Sequence, residues 1–252
     1  MIQKRTTEPS KNSVHAPWIH AAGILTALWL MIVFLITAVE AVAYWTPGYY
    51  KMEYEKYQVL DDLPEMTMDD LLSVTDEMMA YLRGNREDLH VFTTMGGEYR
   101  EFFNAREIAH MEDVRGLFLL VMWVFVAAAG LLLTGAVVCR LRRQRLPRLG
   151  GRTPGFWAAC GLGGLFLLIA LLAALNFDRA FTVFHSIFFP GKDNWLFDPV
   201  TDPVILILPE AFFRNCAIAI VTVLLTVCIM LVVTGRKRPS RRSAPGEGAV
   251  SR

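Results

Sequence analysis

Five histidines are the candidates for acid–base work in this 252-residue chain: His15, His20, His90, His110 and His185. Imidazole titrates near neutrality, so one ring can take a proton while another gives one. His110 lies in Ala109-His110-Met111-Glu112-Asp113-Val114-Arg115, and His185 in Phe184-His185-Ser186-Ile187-Phe188-Phe189. Each borders a long apolar run at the same predicted level, so both rings can face one pocket. Asp113 follows His110 by three residues, which places the two on one face of a helix. A carboxylate there can orient the ring and fix its tautomer; Asp202 or Asp198 can do the same for His185. Spacing leaves open the plainer reading that each histidine is an interfacial residue bonded to backbone. His15 and His20 sit at the start of the first apolar run and receive no role, and His90 reads as a surface residue.

Other chemistries have less in the sequence to stand on. The two histidines with nearby carboxylates admit a zinc site, yet neither H-E-x-x-H nor C-x-x-C is present. No metal and no cofactor is expected. No G-x-S-x-G elbow exists, and Ser186 neighbours His185 only along the chain. No P-loop or dinucleotide fingerprint is present. Gly161, Gly163 and Gly164 lie inside an apolar run and suit close helix packing. Cys139, Cys160, Cys216 and Cys228 fall in or at the ends of such runs and read as small apolar fillers, not a disulfide framework.

The elements that must position these residues are four apolar runs, at 18–45, 116–138, 155–177 and 211–234. A bilayer core needs roughly 20 apolar residues of helix to cross it. Only helices satisfy their own backbone in lipid, so the chain reads as an all-α membrane protein with four transmembrane helices. Glu40 and Arg214 are the clear ionisable residues within the runs, both near the ends where snorkelling is possible, which disfavours a transporter or channel.

Charge orients the spans. The 139–154 segment carries Arg140, Arg142, Arg143, Arg145, Arg148 and Arg152 without an acid. The 235–252 tail carries Arg236, Lys237, Arg238, Arg241 and Arg242, and the 1–17 tail Lys4, Arg5 and Lys11. Segments so basic belong on the cytoplasmic side, giving N-in/C-in topology. Topology determinants are the simple reading of these clusters; no nucleic acid is expected. Residues 46–115 are instead rich in Asp and Glu and form a small α+β extracytoplasmic domain between spans 1 and 2.

Within that domain, Thr67 and Asp70 resemble a capping box, followed by apolar residues at helical spacing from Leu71 to Leu82. Met95-Gly96-Gly97 reads as a hairpin turn. Asn104 to Arg115 reads as a helix running into span 2. The 178–210 segment is dense in Phe, Trp and Pro, which suits an aromatic-rich re-entrant outer loop between spans 3 and 4 packed against the spans.

The stretch from Glu107 to Arg115 resembles a signature of the bacterial lipoprotein intramolecular transacylase (Lit) family. The stretches Phe184–Phe189, Trp195–Pro199, Thr201–Ile205 and Leu208–Phe213 resemble its second signature. The four-span layout and Ala80-Tyr81-Leu82-Arg83-Gly84 are similar too, so the resemblance spans nearly the whole ordered chain. It implies a multi-pass bacterial cell-membrane enzyme with an extracytoplasmic site. The implied reaction moves the sn-2 acyl chain of a diacylglyceryl lipoprotein from glycerol oxygen to the α-amine of its N-terminal cysteine. The substrate then supplies both nucleophile and electrophile, and His110 and His185 share the proton transfers. Asp113, Asp202 and Asp198 are expected to orient them, and Phe188, Phe189, Trp195 and Phe213 to line a pocket for acyl chains and membrane lipid. A metal-dependent membrane hydrolase using the same pair, or a non-catalytic membrane scaffold, are the competing readings.

Overall fold

The computed structural model describes residues 17–143 and 148–235. The expectations for His15, for most of both tails and for Arg145 lie outside the described residues, as does the side chain of His20. The chain begins with α1 (Pro17–Glu40), which continues as a wider π-helical turn through Ala41–Trp45. Next come α2 (Tyr49–Lys56), a short 3₁₀ turn at Val59–Asp62, and α3 (Met68–Leu82). A hairpin follows, with β1 (Phe92–Met95) and β2 (Glu98–Glu101). The remaining elements are helices: α4 (Ala105–Leu141), α5 (Pro154–Leu175), α6 (Phe177–Phe188), α7 (Pro203–Ile207) and α8 (Glu210–Thr234).

Among the described residues, four helices are long and apolar enough to cross a membrane: Ala21–Trp45, α4, α5 and α8. Small residues let them pack closely. A side chain at Gly163 would meet Cys228 of α8 at 3.4 Å, and Ala38, Ala159, Leu162 and Leu224 complete that contact. Gly161 sits against Met31, whereas nothing approaches Gly164. The start of α1, the α4–α5 connection and the end of α8 meet at one pole, where Gly23 faces Leu149 and Gly235 faces Phe156.

The cap at the other pole has its own core, built from Tyr54, Val59, Leu71, Met78, Leu89, Phe102 and Phe103. Thr67 and Asp70 form a reciprocal capping box that starts α3. The two-residue turn between β1 and β2 needs positive φ at both positions, which Gly96 (62°) and Gly97 (77°) supply. Glu40 does not snorkel to water. It is buried and ion-paired with Arg83 of the cap, whose guanidinium also lies 3.9 Å over the Tyr44 ring.

Two features differ from the sequence reading. The 178–210 segment is only partly loop, because α6 fills its first third and α7 interrupts the rest. Phe177, Phe181, Phe184, His185 and Phe188 recur at helical spacing, and the Asn176 side chain accepts the Arg179 N–H at 2.8 Å to start the helix. Asn176 alone separates α5 from α6. The segment also joins the cap: Val204, Ile207 and Leu208 belong to the same core as α3.

Candidate active site

Site construction begins at the N-terminus of α4. Asn104 caps the helix, its side-chain oxygen accepting from the Arg106 and Glu107 amides at 2.9 and 3.0 Å. Glu107 returns the bond, one carboxylate oxygen accepting from Asn104 N at 2.7 Å. Its other oxygen accepts from Val204 N of α7 at 2.6 Å. Glu107 is fully buried, so this carboxylate ties the start of α4 to the segment that returns from α6. Asn104 adds a second tie, donating to Asp202 at 2.8 Å. One turn beyond Glu107, the same helix presents His110.

His185 arrives from the last turn of α6. The two imidazole centroids are 5.8 Å apart with their planes 32° from parallel, and the two residues are only 5% and 6% exposed. Sequence placed these residues 75 positions apart at one predicted level; the fold makes them neighbours.

Aromatic rings enclose the pair. Trp195 stacks on His185 with centroids 4.5 Å apart, and Phe181 lies 4.1 Å from the same ring. Phe189 touches both histidines, 5.1 Å from His110 and 5.7 Å from His185. Phe197 closes on His110 edge-on at 5.5 Å. Such walls exclude water and strengthen every polar interaction inside them.

The polar contacts of the rings are few. His185 Nδ1 donates to the main-chain carbonyl of Phe181 at 2.9 Å. A carbonyl only accepts, so the proton sits on Nδ1 and the lone pair on Nε2. Burial pushes the His185 pKa below the ordinary imidazole value, against the weaker opposing effect of that carbonyl. His110 Nδ1 is buried without a hydrogen-bond partner.

The residues expected around the histidines divide into two groups. Trp195 and Phe189 lie against the rings, while Phe188 packs on Phe184 at 4.6 Å and Phe213 on Phe181 at 5.4 Å, one layer behind. The three aspartates bond elsewhere. Asp113 takes Lys192 and the Asn194 amide; Asp202 takes Asn104 and the Asp198 N–H; Asp198 takes the Val200 N–H. Thus Asp202 and Asp198 shape the return loop, and the Phe181 carbonyl has the place at His185 foreseen for them. Sequence reasoning missed Glu107 as the anchor between segments. The Asn104-x-x-Glu107 spacing before a helix was its available signal. Among the described residues, no group of three or more His, Cys, Asp or Glu converges as a metal-binding cluster.

The family model described as lipoprotein intramolecular transacylase Lit matches residues 24–213. Among solved structures, the membrane integral lipoprotein intramolecular transacylase Lit from Bacillus cereus aligns with a TM-score of 0.67 at 21% identity, covering 86% of this chain and 94% of that one. A variant of the same Bacillus cereus protein, with one histidine replaced by alanine, aligns at 0.68 with 22% identity, covering 87% and 93%. At these identities the likeness shows a shared fold. Comparison with curated proteins finds no match. With three-quarters of its length inside the family match, the chain belongs to the lipoprotein intramolecular transacylase Lit family.

Proposed function

We propose that the protein catalyses an O-to-N acyl transfer within one substrate molecule, a diacylglyceryl-modified lipoprotein with a free N-terminal α-amine. The amine nitrogen attacks the sn-2 ester carbonyl and a tetrahedral intermediate forms. The ester C–O bond then breaks, leaving an amide on the cysteine and a hydroxyl on the glycerol. The proton lost by the amine ends on that glycerol oxygen, so the reaction balances without water or a co-substrate.

The observation that carries this reading is the pair of imidazoles, 5.8 Å apart inside one aromatic enclosure. The substrate brings both reacting groups, so proximity is largely built in and no enzyme nucleophile is required. What the protein must add is proton traffic and stabilisation of the oxyanion. His185, with its lone pair on Nε2, is equipped to accept a proton. One ring of the pair serves as general base, and the other delivers the proton to the leaving oxygen or donates to the oxyanion. The exposed apolar residues Val183, Ile187 and Phe188 on α6 offer an acyl chain a surface continuous with lipid. Each buried methylene contributes about 0.8 kcal/mol.

The orientation follows from charge. Arg140, Arg142, Arg143, Arg148 and Arg152 cluster at the α4–α5 pole, while the acid-rich cap and the histidines occupy the other. The positive-inside rule then puts the site on the extracytoplasmic face, with both termini in the cytoplasm.

The test is mass spectrometry of a reporter diacyl lipopeptide with wild type, His110→Ala and His185→Ala. Intramolecular transfer leaves total mass unchanged, and fragmentation places the acyl chain on nitrogen. Wild type is expected to convert the reporter and both variants to fail. Undiminished transfer in both variants overturns the assignment; a gain in product mass would instead mean transfer between molecules.

A further inference from the structure

We propose that Asn194 is a positioning residue for His110, holding its imidazole in the Nδ1–H form at the end of a chain that runs Lys192, Asp113, Asn194, His110. This rests on the acid–base reading of the two histidines and names what fixes the one whose Nδ1 lacks a backbone partner.

Two buried atoms lead to it. His110 Nδ1 and Asn194 Oδ1 are each buried and each without a hydrogen-bond partner. Burying such groups unmet is unfavourable, so two in one small site call for a reason. Asn194 is bonded to Asp113, one turn beyond His110 on α4, and adjoins Trp195, which stacks on His185, so the two side chains are neighbours. One offers an acceptor and the other can offer a donor.

The direction of that contact is fixed from behind. Asn194 Nδ2 donates to Asp113 Oδ2 at 3.1 Å, and Asp113 also pairs with Lys192. An ion-paired carboxylate only accepts, so it claims the NH₂ end of the amide. The oxygen end is thereby turned towards His110 and can only accept. The ring atom facing it must carry the proton, which leaves the lone pair on Nε2. Hydrogen bonds of this kind are often long before substrate binds and tighten in the reactive complex.

The segment bearing Asn194 is built to hold position. Arg106 of α4 donates to the Asp193 carbonyl at 3.0 Å, and the Trp195 indole donates to the Lys192 carbonyl at 3.0 Å. One short turn therefore presents Trp195 to His185 and Asn194 to His110. By this assignment Asp113 acts on His110 through Asn194, not by direct contact. Both rings then hold a proton on Nδ1, His185 through Phe181 and His110 through Asn194, and each meets the substrate through Nε2, which accepts on the neutral ring and donates on the ring that has taken up a proton.

The test uses the full-length protein in lipid vesicles with the reporter lipopeptide. Asn194→Leu removes the acceptor. It is expected to lower kcat at least about tenfold, part of the roughly 10²–10⁴ that a positioned acid–base group contributes, with little change in KM. Nitrogen NMR of isotope-labelled histidine should show the His110 Nδ1–H tautomer in wild type and a tautomer mixture in the variant. Asn194→Asp is isosteric and guards against misfolding of the first variant. It adds a carboxylate to the charged surroundings of His110, already comprising His185, Asp113 and Lys192. Its His110 signals should move towards imidazolium at neutral pH. Wild-type kcat in Asn194→Leu, or unmoved His110 signals in Asn194→Asp, would overturn the proposal. His110→Ala keeps the two failures distinct: if it is inactive while Asn194→Leu is fully active, only the positioning role falls. If His110→Ala itself is active, the acid–base reading falls.

Discussion

His185 donates from Nδ1 to the carbonyl of Phe181, one turn earlier on the same helix, at 2.9 Å. A helix-interior carbonyl normally accepts from its own ladder, so this one serves two donors. The bond locks the ring to the helix that carries it. It also commits the proton to Nδ1, so any proton taken from a substrate must go to Nε2.

That commitment sets the pH behaviour. Burial lowers the His185 pKa, so the folded ring stays neutral below the ordinary imidazole value of about 6.5. The acid limb of kcat/KM should therefore follow the substrate α-amine, at about 7.7–8.0, and not an enzyme histidine. A rate profile against pH checks this; a limb centred on ordinary imidazole would contradict it. Stability carries the opposite side of the same linkage. The unfolded chain takes up a proton that folded His185 refuses, so stability is level above pH of about 6.5 and falls as pH drops below it. Thermal melts of wild type and His185→Gln across that range should show the fall diminished in the variant.

Trp195 stacks on His185 and walls it from solvent. Trp195→Ala removes an aromatic contact of about 0.5–1.5 kcal/mol and opens the enclosure. We expect a loss of kcat with Trp195→Ala and a smaller one with Trp195→Phe, read with the reporter lipopeptide. Equal rates in all three proteins would mean the stack is dispensable.

Glu107 holds the Asn104 and Val204 amides with separate oxygens. Glu107→Gln keeps the shape but turns an NH₂ towards one of those donors. The unmet buried group should cost about 1–3 kcal/mol, visible as a lower Tm in detergent. Activity should fall with it, since the return loop carrying Trp195 and Phe197 hangs on this tie.

Chelation separates the two enzymatic readings of the same histidines. Acid–base transfer between groups of one substrate predicts full activity after dialysis against a chelator. Activity that is lost on dialysis and returns with zinc would favour the metal-dependent alternative.

The spans, the α3 capping box, the Gly96-Gly97 turn and the first turns of α4 were all legible in sequence, because each depends on local pattern. The two histidines were identifiable by their shared predicted level. Their partners were not. Asp113 lies three residues from His110, and helical spacing alone suggested direct contact. Its bonds go instead to Lys192 and Asn194, which come from a distant segment that no local rule places. Asp202 was equally misleading, since it bonds across to Asn104 on another helix. The α6 helix was hidden for a different reason. Its Phe residues at 177, 181, 184 and 188 keep helical period, but they sit among further aromatics and prolines that read as loop composition.

The single residue between α5 and α6 gives the site a mechanical connection to the bilayer. Asn176 ends one helix and caps the next, so there is no slack between span 3 and the helix that bears His185. A helix of 22 residues is about 33 Å long, close to the thickness of a hydrocarbon core. In a thinner or thicker bilayer such a span adapts by tilting or by deforming the lipid around it. Tilt at α5 is passed to α6 and changes the separation of His185 from His110, which stands on a different helix. Transfer rates in vesicles of graded acyl length should therefore peak at one thickness, making the membrane's own dimensions a control on the chemistry.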